Sequence, residues 1–559
     1  MIGHDYLPHP KERMRRNILS ATPQASAARR LLLLMIVFVF VCGVVGARMF
    51  DMAAPNYQVN PIATAQASFI ADERKRPTIT DRNGNIVAID IATASLFADP
   101  AKISDTDNTA HKLASLLPVD ESVIKAKLQN PNKRFVWVAR YLTPKQQAMI
   151  HNLGLPGVGF KQEYRRIYPQ GELFSHILGY ANIDNKGIAG LEKFLDQNPN
   201  DDSVTLSLDL QAQHAVREEL SAAMQEFDAQ GATATLLDIR NGEVVAMVSL
   251  PDFDPNHPMQ SPPRNRFNQA TLGVYEPGSV AKSFTVAMAI ESAGLKPDAV
   301  FDASEPLRIG KFSVRDFHPQ ARPLNIAEIL AHSSNIGAVK LALQVEENQH
   351  RQFWEQLGLL DAVGLEVPET GKPITPKKWG ELERATISYG YGVSVSPLQL
   401  ATATATLVNG GFRIAPTILH QPHVHVEGER VLSKETSDTM RALLRQAVLA
   451  GTGQRADVPA YPVLGKTGTA EKVTANGYDK NKRRAFFLSA FPAQRPQYAL
   501  IVMLDEPKAN ASTFGYATAG WTAAPLTSRI VKRVAPLLGL RPAEIHTSPE
   551  QYAHLVAQP

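Results

Sequence analysis

The chain has 559 residues, 44% of them hydrophobic and 20% charged; this is the composition of a folded protein too long for one core, and it excludes a disordered chain. Its net charge of +4 resides entirely in residues 1–30, where six basic side chains (Lys11, Arg13, Arg15, Arg16, Arg29, Arg30) stand against Asp5 and Glu12. The remainder is formally neutral, which excludes a broad basic field for nucleic acid, and a single cysteine, Cys42, excludes a disulfide framework.

Residues 31–47, LLLLMIVFVFVCGVVGA, are seventeen uncharged and mostly apolar residues. As a helix they would cover about 25 Å, near the lower limit for crossing a bilayer. The basic tail at 1–30 predicts a cytoplasmic N-terminus and an exported remainder. Cleavage after VGA (45–47) is the competing reading. The long basic region and long apolar run favour an uncleaved anchor, with Cys42 packing or facing lipid.

Residues 48–70 carry little pattern and read as a tether. RPTITDRNGNIVAID (76–90) alternates around Asn83-Gly84, a hairpin signal. Residues 106–152 are amphipathic and are expected to be helical. YRRIYPQGELFSHILGY (164–180) runs into GIAGLEKFLD (187–196). From about 204 a strand precedes a long amphipathic helix, and GATATLLDIRNGEVVAMVSLP (231–251) reads as strand, Asn-Gly turn, strand. Helices and strands then mix until three strand-like runs at 463–473, 484–493 and 498–507, followed by a helical stretch at 522–538. Early and late strands with helices between them predict an α/β (α+β) arrangement, one antiparallel sheet covered by helices. The last twenty residues are polar and are expected to be loosely ordered.

Three short motifs carry chemistry. In YEPGSVAKSF (275–284), Pro277-Gly278 breaks the chain and Ser279 opens a run with helical period. Positions i and i+3 share a helix face, so Ser279 and Lys282 are expected side by side at a helix N-terminus. A serine becomes a nucleophile when a neighbour takes its proton, and a lysine does so once burial or nearby cations lower its pKa. Alone the pattern is weak, since an N-cap serine beside a surface lysine gives the same letters, and Ser122–Lys125 (SVIK) is a second match without the Pro-Gly break. AHSSNIGAVKLA (331–342) places Ser333 and Asn335 before a helical pattern, either as a cap or as a proton relay and amide holder. GKTGTA (465–470) sets Lys466, Thr467, Gly468 and Thr469 in an apolar strand. There glycine allows close backbone approach, and a strand edge can offer N–H groups to a substrate.

Taken in this order, Ser-x-x-Lys, Ser-x-Asn and Lys-Thr-Gly match one constellation. The chain resembles the penicillin-binding proteins and serine β-lactamases, and more narrowly the class B penicillin-binding proteins of the division (FtsI) type. DRNGN, RRIYPQG and GLEKFLD resemble that family's N-terminal pedestal. GEVVAMVSLPDFDPN, YEPGS, SYGYGVSVSPLQLATATATLVNGG and WTAAPL resemble its transpeptidase domain. The resemblance implies a tail at 1–30, an anchor at 31–47, linker and pedestal at 48–228, a transpeptidase domain at 229–545 and a C-terminal tail at 546–559. It implies that Ser279 attacks the penultimate D-Ala carbonyl of a stem pentapeptide, with Lys282 as base and Ser333 relaying a proton to the leaving D-Ala. Asn335 would hold the peptide, and Lys466, Thr467 and Thr469 would receive the terminal carboxylate beside Gly468. The backbone N–H groups of Ser279 and Thr469 would form the oxyanion hole. A second stem peptide would resolve the acyl-enzyme into a 4→3 cross-link, and β-lactams would acylate the same serine.

The implied partners are lipid-linked and nascent peptidoglycan, β-lactams, a FtsW-like glycan polymerase of the SEDS family and other division proteins. The implied location is the inner membrane at the septum, single-pass, with the catalytic domain periplasmic. No cofactor or metal is expected, and His318 and His332 read as structural. A β-lactamase is disfavoured by the long N-terminal region, and a bifunctional glycosyltransferase by the short stretch 48–228. A non-catalytic β-lactam sensor or scaffold is disfavoured by the complete motif set. An elongation-type transpeptidase is the close alternative.

Overall fold

The computed structural model describes residues 32–33, 35–45, 75–199, 203–421, 428–475 and 477–543. The expected tail at 1–30, the tether at 48–70 and the C-terminal tail at 546–559 lie outside these residues. Residues 32–33 and 35–45 are helical. No helix among the described residues is long and apolar enough to cross a membrane. Residues 1–74 and 75–559 form two separate units, and the second carries both large sheets.

The first of its two large sheets begins with β1 (Thr78–Thr80) and β2 (Ile86–Ala98), the hairpin read from the sequence. The Asp81 carboxylate accepts from the backbone N–H groups of Asn83 and Asn85 and so fixes the turn. β3 (Val136–Leu142) and β4 (Val158–Ile167) both pair antiparallel with β2, and β5 (Ser203–Thr205) runs parallel to β1. Helix does not run throughout 106–152 as expected from the sequence. Helices Thr106–Ala114, Glu121–Leu128 and Pro144–His151 are interrupted by β3. Its sequence, VWVARYL, is rich in β-branched and aromatic side chains that suit a pleated surface with a ready partner in β2.

The second sheet is built from β6 (Gly231–Asp238), β7 (Val244–Leu250), β8 (Leu464–Thr474), β9 (Gly477–Phe491) and β10 (Tyr498–Asp505). Its order is β8-β9-β10-β6-β7, antiparallel throughout, with β8 at one edge. Helices α1 (Leu210–Glu226) and α6 (Ala523–Leu537) cover one face; α4 (Pro397–Val408) packs on the other and α5 (Lys434–Leu449) along β8. β6 and β7 are buried along their whole length, as a sheet covered on both faces requires. The alternation of β6 divides between two cores, Ala232, Ala234 and Leu236 packing with α1 and α6 and Leu237 on the other side.

The two sheets are tied together by polar contacts as well as by shared core. Arg82 reaches across to the Ser207 carbonyl at 2.7 Å and to Glu243 at 2.5 Å. The Gly190 N–H donates to Glu369 at 3.0 Å, and His176 Nε2 meets the Asn265 carbonyl at 2.8 Å.

Candidate active site

The Pro277-Gly278 break forms a short 3-10 turn, Gly278–Val280, from which helix α2 (Ala281–Ala293) departs. Ser279 therefore stands just ahead of the helix, and its hydroxyl makes no capping bond. Gly278 has φ +56°, and a Cβ there would lie 2.7 Å from the Thr469 carbonyl. The approach is mutual, since a Cβ on Gly468 would lie 2.6 Å from the Pro277 carbonyl. Edge strand β8 can lie against the serine turn because neither position carries a side chain.

Lys282 lies one turn into α2 and is fully buried. Its Nζ stands 3.1 Å from Ser279 Oγ, 3.1 Å from Ser333 Oγ and 2.5 Å from the Ser333 carbonyl. Burial drives its pKa well below that of an ordinary lysine; the Lys466 charge pushes the same way, against Asp316. A neutral amine has two N–H donors and one lone pair. Three oxygens at these distances allow it to donate to two and accept a proton from the third.

Ser333 ends helix Ile326–His332 in the left-handed region, at φ +60°. A non-glycine residue there is uncommon, and such strain gathers at functional sites. Ser334 caps the following helix, α3 (Asn335–Ala342), by accepting from the Gly337 N–H. The cap reading of this segment thus belongs to Ser334, while Ser333 turns toward Lys282. Asp316 organises the segment: its carboxylate accepts from Ser334 Oγ and from the backbone N–H groups of Asn335 and Ile336. Asn335 Nδ2 donates to the Arg315 carbonyl at 2.8 Å.

On β8, Lys466 is buried and its pKa is pushed down to about 7 by that burial. Its Nζ lies 3.2 Å from the Thr467 carbonyl and 3.4 Å from Thr467 Oγ1. Thr467 shares a short hydroxyl–hydroxyl bond with Thr452, and Thr469 Oγ1 accepts from the Ala519 N–H at 3.1 Å. Ser279, Lys282 and Ser333 are therefore linked directly. Lys466 acts on Lys282 through its charge, Gly468 supports the serine turn, and Asn335, Thr467 and Thr469 are each held by neighbours of their own.

The second Ser-x-x-Lys match behaves differently. Lys125 is partly exposed and forms a 2.7 Å ion pair with Asp107. His318 packs edge-on against Phe317, and neither His318 nor His332 bonds to the three motifs. No cluster of metal-ligating side chains occurs among the described residues. Sequence reasoning missed Asp316, Thr452 and Gly390. Asp316 and Thr452 sit in no recognisable local pattern, and Gly390, although it stands within SYGYG (388–392), lies more than a hundred residues from the Gly278 it meets, which those letters do not show. A Cβ on Gly390 would fall 1.9 Å from the Gly278 carbonyl.

Comparisons with known proteins identify two family domains in the chain. Residues 232–532 match the penicillin binding protein transpeptidase domain, and residues 72–206 match the penicillin-binding protein dimerisation domain. The chain is 35% identical over 487 residues to the probable peptidoglycan D,D-transpeptidase FtsI of Caulobacter vibrioides, covering 84% of this chain and 82% of that one. It is 30% identical over 508 residues to the peptidoglycan D,D-transpeptidase FtsI of Escherichia coli K12, covering 84% and 85%. A peptidoglycan synthetase from Bifidobacterium adolescentis shares the fold, with TM-score 0.68 at 21% identity over 85% of this chain and 97% of that one. The transpeptidase domain of Burkholderia pseudomallei penicillin-binding protein 3 superposes with TM-score 0.55 at 30% identity, covering 61% of this chain and 98% of that one. With a buried amine spanning two serine hydroxyls beside a Lys-Thr-Gly edge strand, and with both family domains in order, the chain belongs to the class B penicillin-binding proteins of the FtsI type, which are serine peptidoglycan D,D-transpeptidases.

Proposed function

We propose that Ser279 is the acylated nucleophile and that Lys282, uncharged in its buried site, takes the serine proton. The observation that carries this reading is the Lys282 Nζ set between Ser279 Oγ and Ser333 Oγ, both at 3.1 Å. Ser333 passes the proton to the departing D-Ala. Asn335 holds the stem peptide, while Lys466, Thr467 and Thr469 receive its terminal carboxylate. Gly468 allows β8 to approach, and the N–H groups of Ser279 and Thr469 face the developing oxyanion. Donors of that kind contribute about 3–4 kcal/mol each to acyl transfer. An amine of a second stem peptide then resolves the acyl-enzyme, giving a 4→3 cross-link in septal wall.

The domain limits that suit this reading are a pedestal at 48–228 and a transpeptidase domain at 229–545. The apolar run at 31–47 supports a single-pass anchor with its basic flank in the cytoplasm and the catalytic domain in the periplasm. A SEDS-type polymerase and division proteins meet the chain through that anchor and the pedestal. The relatives named FtsI support the division role over elongation.

Intact-mass analysis after benzylpenicillin tests the nucleophile. A long-lived adduct on Ser279 that is absent from Ser279→Ala is expected. Rapid loss of the adduct would indicate a β-lactamase, and adduct on the alanine variant would remove Ser279 from the mechanism.

A further inference from the structure

Glu276 lies three residues ahead of Ser279, and the acylation chemistry gives it no task. Three residues of chain span at most about 10 Å, and the loop that holds its carboxylate through Gly392 also bonds the Gly278 N–H through Gly390. Oε1 accepts from the Gly392 N–H at 2.7 Å and from the Tyr478 hydroxyl at 2.9 Å. These donors come from the loop after helix Glu381–Ser388 and from the far end of the β8–β9 hairpin. No described residue donates to Oε2, and none forms an ion pair with this carboxylate. Arg484, the cation whose charge reaches Glu276, is engaged elsewhere: its guanidinium lies 4.4 Å from the centre of the Tyr275 ring and 3.2 Å from Asp505.

Aromatic rings adjoin this carboxylate, Tyr478 through its hydroxyl. Tyr391 packs edge-on against Tyr478, with ring centres 5.2 Å apart, and Tyr389 lies 5.8 Å from Tyr391. The Tyr391 hydroxyl accepts from the Glu471 N–H at 3.4 Å, two residues beyond Thr469. The same loop touches the nucleophile's turn, where the Gly278 N–H donates to the Gly390 carbonyl at 3.1 Å. A half-buried carboxylate with one oxygen unengaged, no cation paired to it and tyrosine rings alongside is a seat for an ammonium group.

The reaction has a use for one. The donor peptide brings a carboxylate and is met by Lys466. The acceptor brings an amine, which is an ammonium at neutral pH. We propose that Glu276, with Tyr391 and Tyr478, binds the acceptor as its ammonium ion and takes the proton that must leave before the nitrogen can attack; this rests on the acyl-enzyme reading above. The ammonium gives one proton to the Glu276 carboxylate and becomes a neutral amine. Its lone pair forms the amide C–N bond while the ester C–O bond breaks toward Ser279 Oγ. The second amine proton passes through Lys282 to that oxygen and restores the serine. Burial pushes the Glu276 carboxyl up from its ordinary value, although its hydrogen bonds and Arg484 oppose the shift, and this makes it a better proton acceptor.

The test uses the full chain, a small D-alanyl thioester as donor and two competing nucleophiles: D-alanine, whose amine is an ammonium at neutral pH, and hydroxylamine, whose nitrogen is uncharged there. Partition of the acyl group between nucleophile and water is read by mass, so it does not depend on how fast Ser279 is acylated. Glu276→Gln is expected to lower the D-alanine-to-water ratio at least about tenfold and to move the hydroxylamine-to-water ratio by less than about twofold. Tyr391→Leu, which leaves the Glu276 hydrogen bonds in place, is expected to lower the D-alanine ratio about threefold. Equal loss with both nucleophiles would make Glu276 a brace for the serine turn and overturn the proposal, as would no loss with either. Failure of the wild-type protein to form any acyl-enzyme on Ser279 would instead remove the nucleophile assignment, and this proposal with it.

Discussion

The pedestal and the catalytic cleft both bury charge, and they do so to opposite ends. In the pedestal, Arg76 and Arg166 flank Glu192, with Nε–Oε distances of 2.7 and 2.6 Å. Asp90 joins them through Arg166 Nη1 at 3.3 Å and the Arg76 N–H at 2.7 Å. Burial alone would pull the Arg76 pKa down, but Glu192 and Asp196 more than offset it and the guanidinium is held above its ordinary value. In the cleft, Lys282 and Lys466 are as deeply buried but form no ion pair with a described carboxylate, and both fall below the ordinary lysine range, Asp316 only partly opposing the shift of Lys282. Pairing turns a buried cation into a fixed structural charge, whereas isolation turns it into a base or a titrating receptor.

The largest effect expected from this contrast is on Lys282. An arginine in its place cannot lose its proton near neutral pH. Lys282→Arg and Lys282→Ala should each slow acylation by benzylpenicillin by about 10²–10⁴-fold, the ordinary worth of a general base. Thermal denaturation should show the alanine variant folded. A variant that still acylated at the parent rate would move the base elsewhere.

Glu192 tests the other side. Glu192→Ala leaves Arg76 and Arg166 buried without their shared carboxylate, a loss of about 3–5 kcal/mol of stability. Urea denaturation should show that loss, while the penicillin adduct formed per folded molecule stays at the parent level. Loss of acylation without loss of stability would mean that the pedestal charges act on the site.

These two clusters also show what could be read from the letters alone. Ser279, Lys282 and Lys466 were legible because each sits in a short pattern whose members meet through one turn of helix or one stretch of strand. The hairpin around Asn83-Gly84 and the strand–turn–strand at 231–251 were legible for the same local reason. The charge network of Arg76, Asp90, Arg166 and Glu192 was not, since no pattern links partners up to 116 residues apart. Asp316 escaped for that reason too. β3 was read as helix because its flanks are amphipathic helices, and its true partner, β2, lies some forty residues earlier along the chain.

His350 is a third kind of buried group, neither paired with an opposite charge nor placed at the chemistry. Its Nδ1 accepts from Trp379 Nε1 at 2.9 Å, and burial, with a smaller push from Arg384, lowers its pKa to about 3. A histidine with a depressed folded pKa binds fewer protons folded than unfolded. Its contribution is fully present above the unfolded value, about 6.5, and is lost as pH falls toward the folded one. At pH 5 the loss from this residue alone is about 2 kcal/mol. His350→Gln should flatten the decline in denaturation midpoint between pH 7 and 5, and an unchanged slope would rule out this site as its source.

The smallest expected effect separates the two cleft lysines. In the proposed mechanism Lys282 acts when neutral, and burial holds its pKa well below the ordinary lysine value. Lys466 there receives a carboxylate when charged, and its pKa is about 7. Acylation by benzylpenicillin, read as kcat/KM of the free enzyme, then requires Lys282 deprotonated and Lys466 protonated, so Lys282 should set an acid limb of the pH profile and Lys466 an alkaline limb. On the alkaline limb the rate constant should fall about tenfold per pH unit once Lys466 has lost its proton, since each unit removes nine-tenths of the charged form. Lys466→Met should lower the whole curve and abolish that limb, while the acid limb of Lys282 persists and moves to higher pH because the Lys466 charge no longer depresses that lysine. An alkaline limb that survives in Lys466→Met would assign it to another group. A cleft whose lysines were paired like the pedestal's arginines would keep Lys282 charged through neutral pH, and its profile would still be rising with pH there.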